Sequence, residues 1–283
     1  MKKVIRLPTF QAKQESTILL REDDNWLMSF YHFHDFLELS IALSDSGHFL
    51  IGEKLYPIQH GRVFYLNTMD FHRSVSETLY KRYVIHFSAD LLNGLSTEEV
   101  NLLEFFSPRP VDFNHSVVLN PKQLESALEI IERSIELMEE NKQAKDIYMK
   151  LMISELLLLI NPLFKHQQAM PMEPTTYQFA HIMPIISYIQ NHLEEDLSLD
   201  FLAQQFYLNK YYLSKLFKKS TGYGVTEYII HMRILKAREL LRKNHSVQQV
   251  GEMVGFNNNC HFIRTFTKLI GISPKQYSKQ VSR

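Results

Sequence analysis

Two stretches in the last hundred residues share one pattern, and together they leave few folds open to the chain. The first runs Leu199-Asp-Phe-Leu-Ala203-Gln-Gln-Phe-Tyr-Leu-Asn209-Lys-Tyr-Tyr-Leu213-Ser-Lys215-Leu-Phe217-Lys-Lys219. The second runs Val247-Gln-Gln-Val250-Gly251-Glu-Met-Val254-Gly255-Phe-Asn257-Asn-Asn-Cys-His261-Phe262-Ile-Arg264-Thr-Phe266-Thr-Lys268. In each, a small residue (Ala203, Gly251) stands where two short helices must cross closely. A polar turn follows, then a helix whose apolar side is set by Leu213, Leu216 and Phe217, or by Phe262 and Phe266. Tyr211, Ser214, Lys215 and Lys218 fall on the outer face of one helix, and His261, Arg264, Thr265 and Lys268 on that of the other. Such a face suits a DNA major groove, where Arg or Lys grips guanine and hydroxyls or amides take other base edges. A plain helical bundle with solvated basic faces would share parts of this pattern. Two copies in register, separated by one helix, favour the DNA reading.

The formal net charge is zero, but the halves differ. From residue 179 onward there are 14 Lys+Arg against 7 Asp+Glu, which leaves 17 and 24 for residues 1–178. A basic half joined to an acidic one implies that only the basic half meets a polyanion. Cys260 is the sole cysteine, so no intrachain disulfide can form, as suits a reducing cytoplasm. Met1-Lys2-Lys3 begins like a signal peptide, but Arg6 and Pro8 interrupt the apolar run. The longest aliphatic run, Leu156–Ile160, is far shorter than the roughly 20 residues that cross a bilayer. The expectation is a cytoplasmic protein with no membrane partner.

Residues 17–87 are expected to form short strands, at Leu37–Leu43, Gly47–Ile51, Arg62–Leu66 and Tyr80–Phe87. The pieces Ser44–Gly47, Gly52–Lys54 and Asn67–Asp70 are expected to be turns, and the spacing suggests a sandwich or small barrel. From Asn120-Pro121 the period becomes helical, with Leu124, Leu128, Ile131, Ile135 and Met138 in one stripe. Asn120 is the expected N-cap and Pro121 the first helical residue. A second helix near 145–163 carries two apolar stripes, Met149-Ile153-Leu156-Ile160-Leu163 and Tyr148-Met152-Leu159. One stripe would satisfy the β domain. The other calls for a partner, so Met149, Ile153, Leu156 and Ile160 are the expected dimerisation residues, with burial inside the same subunit as the alternative. Lys165–Thr176, with Pro171 and Pro174, has the composition of a linker. The expected organisation is α+β multidomain, with residues 1–164, a linker at 165–180, and residues 181–283.

The C-terminal hundred residues resemble the DNA-binding domain of AraC-type bacterial transcription regulators. The likeness lies in Leu199-x-x-Leu-Ala203, Tyr212-Leu-Ser-x-Leu-Phe-Lys218, Thr221-Gly222, Glu227-Tyr228, Arg233-Ile234-x-x-Ala237, Leu240-Leu241, Val254-Gly255-Phe256, Phe262-x-Arg-x-Phe266 and Gly271-Ile-Ser-Pro274-x-x-Tyr277. It covers residues 182–277 and departs at Val250-Gly251, His261 and Ser278, where Ile-Ala, Tyr and Arg are usual. Gly251 weakens its helix by up to about 1 kcal/mol relative to Ala. The resemblance implies seven helices in two three-helix units bridged by a long one, here about Val225–Leu241. It implies that Tyr211, Ser214, Lys215, Cys260, His261 and Arg264 face bases, and that Lys218, Asn257 and Lys268 hold phosphates. The two reading helices would enter successive major-groove segments roughly 34 Å apart.

The N-terminal half resembles the effector domain of the same family, a cupin-like double-stranded β-helix followed by helices. The likeness rests on His32-Phe-His34-Asp-Phe-Leu-Glu38-Leu, Gly47-x-Phe, Tyr56-Pro-Ile, Gly61-Arg-Val-Phe-Tyr-Leu and His72, over roughly residues 15–90. If residue 32 lies on a strand, His32, His34 and Glu38 share parity and could converge with His72. Three imidazoles and a carboxylate suit a divalent transition metal, and catalytic cupins use this spacing. The alternatives are therefore structural or effector-binding histidines, a metal-sensing regulator, and a cupin metalloenzyme. If the strand begins after Asp35, His32 falls outside it. For a small polar effector, the expected contacts are His34, Glu38, His72 and His86, with Trp26 or Tyr65 as stacking surfaces.

No glycine-rich phosphate loop, no Gly-x-Ser-x-Gly and no cysteine pair is present. The expectation is a ligand-responsive regulator rather than an enzyme, without cofactor or resident metal. The family implies promoter double-stranded DNA, a small effector that could be a sugar, a homodimer, and RNA polymerase if the chain is an activator of carbohydrate-utilisation genes.

Overall fold

The computed structural model describes residues 16–24, 28, 31–34, 36–52, 54–68, 70–76, 78–106, 113–165 and 177–281, with backbone alone at 177–180 and 281. By their contacts, the described residues of 16–28 and 36–165 form one compact unit, and 31–34 with 177–281 form the other. The expected linker falls largely outside the described residues.

The first unit holds eight strands among its described residues: β1 (Thr17–Asp23), β2 (Leu37–Ala42), β3 (His48–Ile51), β4 (Lys54–Pro57), β5 (Arg62–Leu66), β6 (His72–Val75), β7 (Tyr80–Phe87) and β8 (Ser116–Val118). They form an antiparallel five-stranded sheet in the order β1-β7-β2-β5-β8 and a three-stranded sheet in the order β4-β3-β6. Lys54, expected in a turn, instead opens β4. Ile51 pairs with Lys54, and Gly52 takes the positive φ of 57° that so tight a hairpin requires. The strand β8 lies beyond the region where strands were expected and pairs with Arg62–Phe64 at the start of β5.

Alternation along the strands sorts the side chains into two layers. Glu38, Ser40 and Ala42 stand opposite His86, Val84 and Arg82 on one face of the large sheet. Ala42, Phe64, Leu66 and Tyr80 on that face join Phe49, Ile51, Tyr56 and Ile58 in a core between the two sheets. Residues of the opposite parity, including Leu37, Leu39, Ile41, Val63, Tyr65, Ile85 and Phe87, pack against two helices, α1 (Pro121–Glu140) and α2 (Lys145–Lys165). Asn120 caps α1 as expected: its Oδ1 accepts from Gln123 N–H, and Gln123 Oε1 accepts from Asn120 N–H, both at 2.9 Å.

The helix α2 corrects the assignment of the dimer contact. Met149, Ile153, Leu156 and Ile160 are 0–1% exposed inside the subunit's own core, with Met152 and Leu157 beside them. Packed against the sheet and α1, the helix buries Met152 of the second stripe and half-buries Tyr148 and Leu159, so two apolar stripes do not imply a second chain. A different row faces outward: Ile147, Leu151 and Leu158 are each more than half exposed. Residues 142–165 are apolar and long enough to cross a membrane by length and composition alone. Their packing against the sheet is that of a core helix.

The second unit contains seven helices among its described residues: α3 (Tyr177–Asn191), α4 (Leu199–Gln205), α5 (Lys210–Thr221), α6 (Val225–Arg242), α7 (Val247–Met253), α8 (Asn259–Ile270) and α9 (Pro274–Val281). The pairs α4–α5 and α7–α8 are local repeats down to their caps. Ser198 accepts from Phe201 N–H at the start of α4, and Ser246 from Gln249 N–H at the start of α7. Asn209 and Asn258 cap α5 and α8, which end on Gly222 (φ 78°) and Gly271 (φ 87°).

Candidate nucleic-acid interface and effector site

The outer faces of α5 and α8 are built by what each helix buries. Leu213, Leu216 and Phe217 are at most 6% exposed, as are Phe262, Phe266 and Ile270, which fixes the rotation of both helices. Every residue expected to meet DNA is exposed: Tyr211, Ser214, Lys215 and Lys218 on α5, and Cys260, His261, Arg264 and Lys268 on α8, with Asn257 in the preceding turn. Thr265 is half-buried. Arg264 Nε donates to Cys260 O at 3.3 Å, which lays the guanidinium along its own helix. The His261 ring meets the edge of Phe256, with centroids 5.5 Å apart. The face of α5 also holds exposed Lys219 and Tyr212, and Lys210 at its start pairs with Asp200 at 3.1 Å. The sequence reading passed over these three, although Lys219 lies four residues after Lys215, on a neighbouring part of the same face.

Long α6 ties the two helix pairs together. Near its start Tyr228 packs on Phe217 of α5, with ring centroids 5.4 Å apart, and its hydroxyl accepts from Gln190 of α3 at 3.0 Å. Burial pushes the Tyr223 phenol up to about 12, so it is neutral at ordinary pH. Further along α6, Arg233 donates to Leu193 O (2.9 Å) and Glu195 O (2.8 Å), with its guanidinium 5.9 Å from the Phe256 ring in the second turn. Near the end, buried Arg238 donates to Tyr277 of α9 at 3.2 Å. One helix therefore carries contacts to both pairs, which is what a fixed spacing between two reading helices requires.

In the β unit, the expected effector residues divide. Glu38 and His86 face one another across β2 and β7, with Glu38 Oε2 and His86 Nε2 3.0 Å apart. The His86 ring also lies 4.1 Å from that of Phe36, and its Nδ1 is 3.5 Å from Thr17 Oγ1. His72 is buried on the smaller sheet, stacked on Phe49 at 5.8 Å, with its Nδ1 2.8 Å from Asp70 O. Tyr65 is a correction. It points to the helix side, where its hydroxyl donates to Asn161 Oδ1 at 2.9 Å and its ring meets Phe106 and Phe164. The strand β5 is buried on both faces, so nothing in its composition marks which parity lines the interior. Trp26 lies outside the described residues.

The strand β2 begins at Leu37, so His32 and His34 precede it rather than lie on it. Both belong by their contacts to the helical unit, with ring centroids 5.9 Å apart, whereas Glu38, His72 and His86 belong to the β unit. Between them Phe33, 1% exposed, packs on Tyr223 (5.7 Å) and Tyr228 (5.5 Å).

Several interior groups were not foreseen. Arg82 shares the inner face with Glu38 and Ser40, lies 4.1 Å over the Tyr80 ring and pairs with Asp23 at 3.0 Å. Tyr80 is fully buried, which drives its phenol well above the usual range, while the charge of Arg82 pulls it back. Buried Arg62 donates to Ser116 at 2.9 Å. The inner face thus offers a carboxylate, an imidazole, hydroxyls and guanidinium groups within an apolar lining. The signal that could have found them is the register Glu38–His86 and Ala42–Arg82, which no single strand shows.

Comparison with known proteins follows the same division. The model for the AraC-like ligand binding domain matches residues 16–157, and that for a helix-turn-helix domain matches residues 202–280. The chain is an AraC-type transcription regulator. It is 26% identical to the HTH-type transcriptional activator RhaS of Escherichia coli over 249 residues, covering 86% of this chain and 85% of that protein. It is 35% identical over 98 residues to the regulatory protein PocR of Salmonella typhimurium, a match spanning 34% of this chain and only 32% of that relative's length. Among solved structures, the DNA-binding domain of AdpA, in complex with a target DNA, is 25% identical over 35% of this chain and 90% of that one, with a TM-score of 0.34. The regulator therefore pairs a ligand-binding β domain with a helix-turn-helix DNA-binding domain.

Proposed function

We propose that this regulator binds promoter DNA with α5 and α8 in successive major-groove segments, and that a small polar molecule bound inside the β domain sets whether it does so. The observation that carries the reading is the repeat itself: two helices with matching caps, each exposing a basic and polar face, joined by one long helix in contact with both pairs. Tyr211, Ser214, Lys215, Cys260, His261 and Arg264 read bases, while Lys218, Asn257 and Lys268 hold phosphates. Residues 1–164 serve the effector and 181–283 the DNA, joined through 165–180.

The effector contacts are Glu38 and His86, joined by Ser40 and Arg82, with His72 next in order. Donors and acceptors of both charge types within an apolar lining suit a polyhydroxylated ligand, which supports a sugar. Such a ligand acts only by preferring one arrangement of the protein to another. The similarity to an activator supports activation and hence contact with RNA polymerase, in the cytoplasm where the promoter lies. The protein works by binding, not catalysis. Self-association is assigned to Ile147, Leu151 and Leu158, the apolar row that α2 leaves exposed; Leu151→Glu with Leu158→Glu should shift sedimentation toward monomer without loss of fold.

The direct test is binding of Lys215→Ala and Arg264→Ala to a duplex from the gene's own upstream region. Each should lose roughly 1–3 kcal/mol and relax preference at one base pair. Variants that bind like the parent would remove these helices from base recognition.

A further inference from the structure

The turns of the two helix-turn-helix units are built alike and filled differently. In the first, Tyr207 N–H donates to Gln204 O at 3.2 Å and Leu208 N–H to Ala203 O at 2.8 Å. In the second, Gly255 N–H donates to Glu252 O at 3.0 Å and Phe256 N–H to Gly251 O at 2.9 Å. Both turns require a positive φ at the same place, 54° at Tyr207 and 81° at Gly255. Glycine adopts that conformation freely, whereas a side chain with a Cβ resists it. Tyr207 holds it nonetheless, and is 96% exposed, so the protein itself supplies almost no contact in return. The other non-glycine residue with positive φ among the described residues is Asn244, a type that tolerates this region.

The helix that follows Tyr207 is strongly basic. Lys210, Lys215, Lys218 and Lys219 follow it on α5, and Asp200 is the sole acidic residue of α4 and α5. Tyr211 and Tyr212, 77% and 51% exposed, stand at the start of the same helix. An exposed phenol at the head of a basic helix suits a polyanion better than an apolar protein surface. The first residues of a second helix enter the groove, so a turn just ahead of them lies along its wall, where phosphates take hydrogen bonds from tyrosine hydroxyls.

We propose that Tyr207 is a DNA-backbone contact of the first unit, its hydroxyl donating to a phosphate oxygen beside the groove that α5 enters. The inference rests on the reading of α5 as a DNA-contacting helix. The second unit has no equivalent, because Gly255 is closed in by Leu193 O and Arg233.

The test compares the full chain with Tyr207→Gly and Tyr207→Phe on the upstream duplex and on a scrambled duplex, across a salt series. Both variants should bind both duplexes about threefold to tenfold more weakly, as expected for one lost hydrogen bond to a charged group at a wet surface. The slope against salt should stay unchanged, since no charge leaves the interface. Tyr207→Gly should also melt at the same temperature or higher, which separates the contact from the fold. Parental affinity in Tyr207→Gly overturns the inference, and does so equally if transcription in cells is lost, since the ring would then serve a protein partner. Parental affinity in Tyr207→Phe overturns the hydroxyl contact. A parent chain that binds neither duplex overturns the DNA reading of α5 and this inference with it.

Discussion

In the first helix-turn-helix unit Ala203 stands at the helix crossing and Tyr207 at the turn, while in the second Gly251 and Gly255 take those places. The backbone is the same in both, so the difference shows what each unit packs against. A Cβ at Gly255 would lie 2.3 Å from Leu193 O and 2.7 Å from Arg233 Nη2. That turn is welded to the end of α3 through the same Arg233 that α6 supplies. The first turn faces open solvent and can carry a tyrosine. Internal repeats thus keep the hydrogen bonds that define the motif and vary the side chains that fit each copy to its neighbours.

The largest expected effect comes from copying one feature of the first unit into the second. Gly255→Ala meets both the backbone oxygen and an unfavourable φ of 81°, and should destabilise the domain by about 3 kcal/mol or more. Thermal unfolding measures this, and a variant within about 1 kcal/mol of the parent would mean that the second turn is as open as the first.

A smaller effect tests the packing of α6, on which the common frame of both units depends. His231 is 3% exposed, with its Nδ1 2.7 Å from Glu227 O, and burial lowers its pKa below the ordinary 6.5. Below about pH 6.5 the unfolded chain therefore binds a proton that the folded chain refuses, so stability falls as pH drops. Denaturant titrations at pH 7 and pH 5.5 should show a larger loss for the parent than for His231→Gln. Equal losses would place this imidazole in water.

The smallest effect sharpens the comparison at the helix crossings. Ala203→Gly should cost about 1 kcal/mol through helix propensity. The reverse change, Gly251→Ala, gains that propensity but sets a Cβ 3.1 Å from Phe262 Cδ1. Net change there should stay under about 0.5 kcal/mol, because the ring must give way by a few tenths of an ångström. A gain of a full 1 kcal/mol would show that Phe262 moves freely.

The same contrast between local and distant causes explains what the sequence made legible. The helical unit was readable because each helix carries its own cap and stripe, from Ser198 and Asn209 to Gly222, within a few residues. The strand interiors were not. Both β2 and β5 are buried on both faces, so Tyr65 gave no sign that it faces Asn161 rather than the space between the sheets. Arg82 joins Glu38 only through the pairing of β7 with β2, a register set by the whole sheet. The apolar excess of α2 is visible in its sequence, but which side the sheet and α1 cover is not, so Met149, Ile153, Leu156 and Ile160 read equally as an interface or as core. For Tyr207 a signal was present: it lies four residues after Ala203, as Gly255 does after Gly251.

If α5 and α8 read DNA together, binding must depend on both sequence and salt. The full chain would be titrated with its own upstream duplex and with a scrambled one, from low to physiological salt. The expected result is tighter binding to the upstream duplex at every salt concentration, with both affinities falling steeply as counterions are released. Equal affinity for the two duplexes, or binding indifferent to salt, would contradict it.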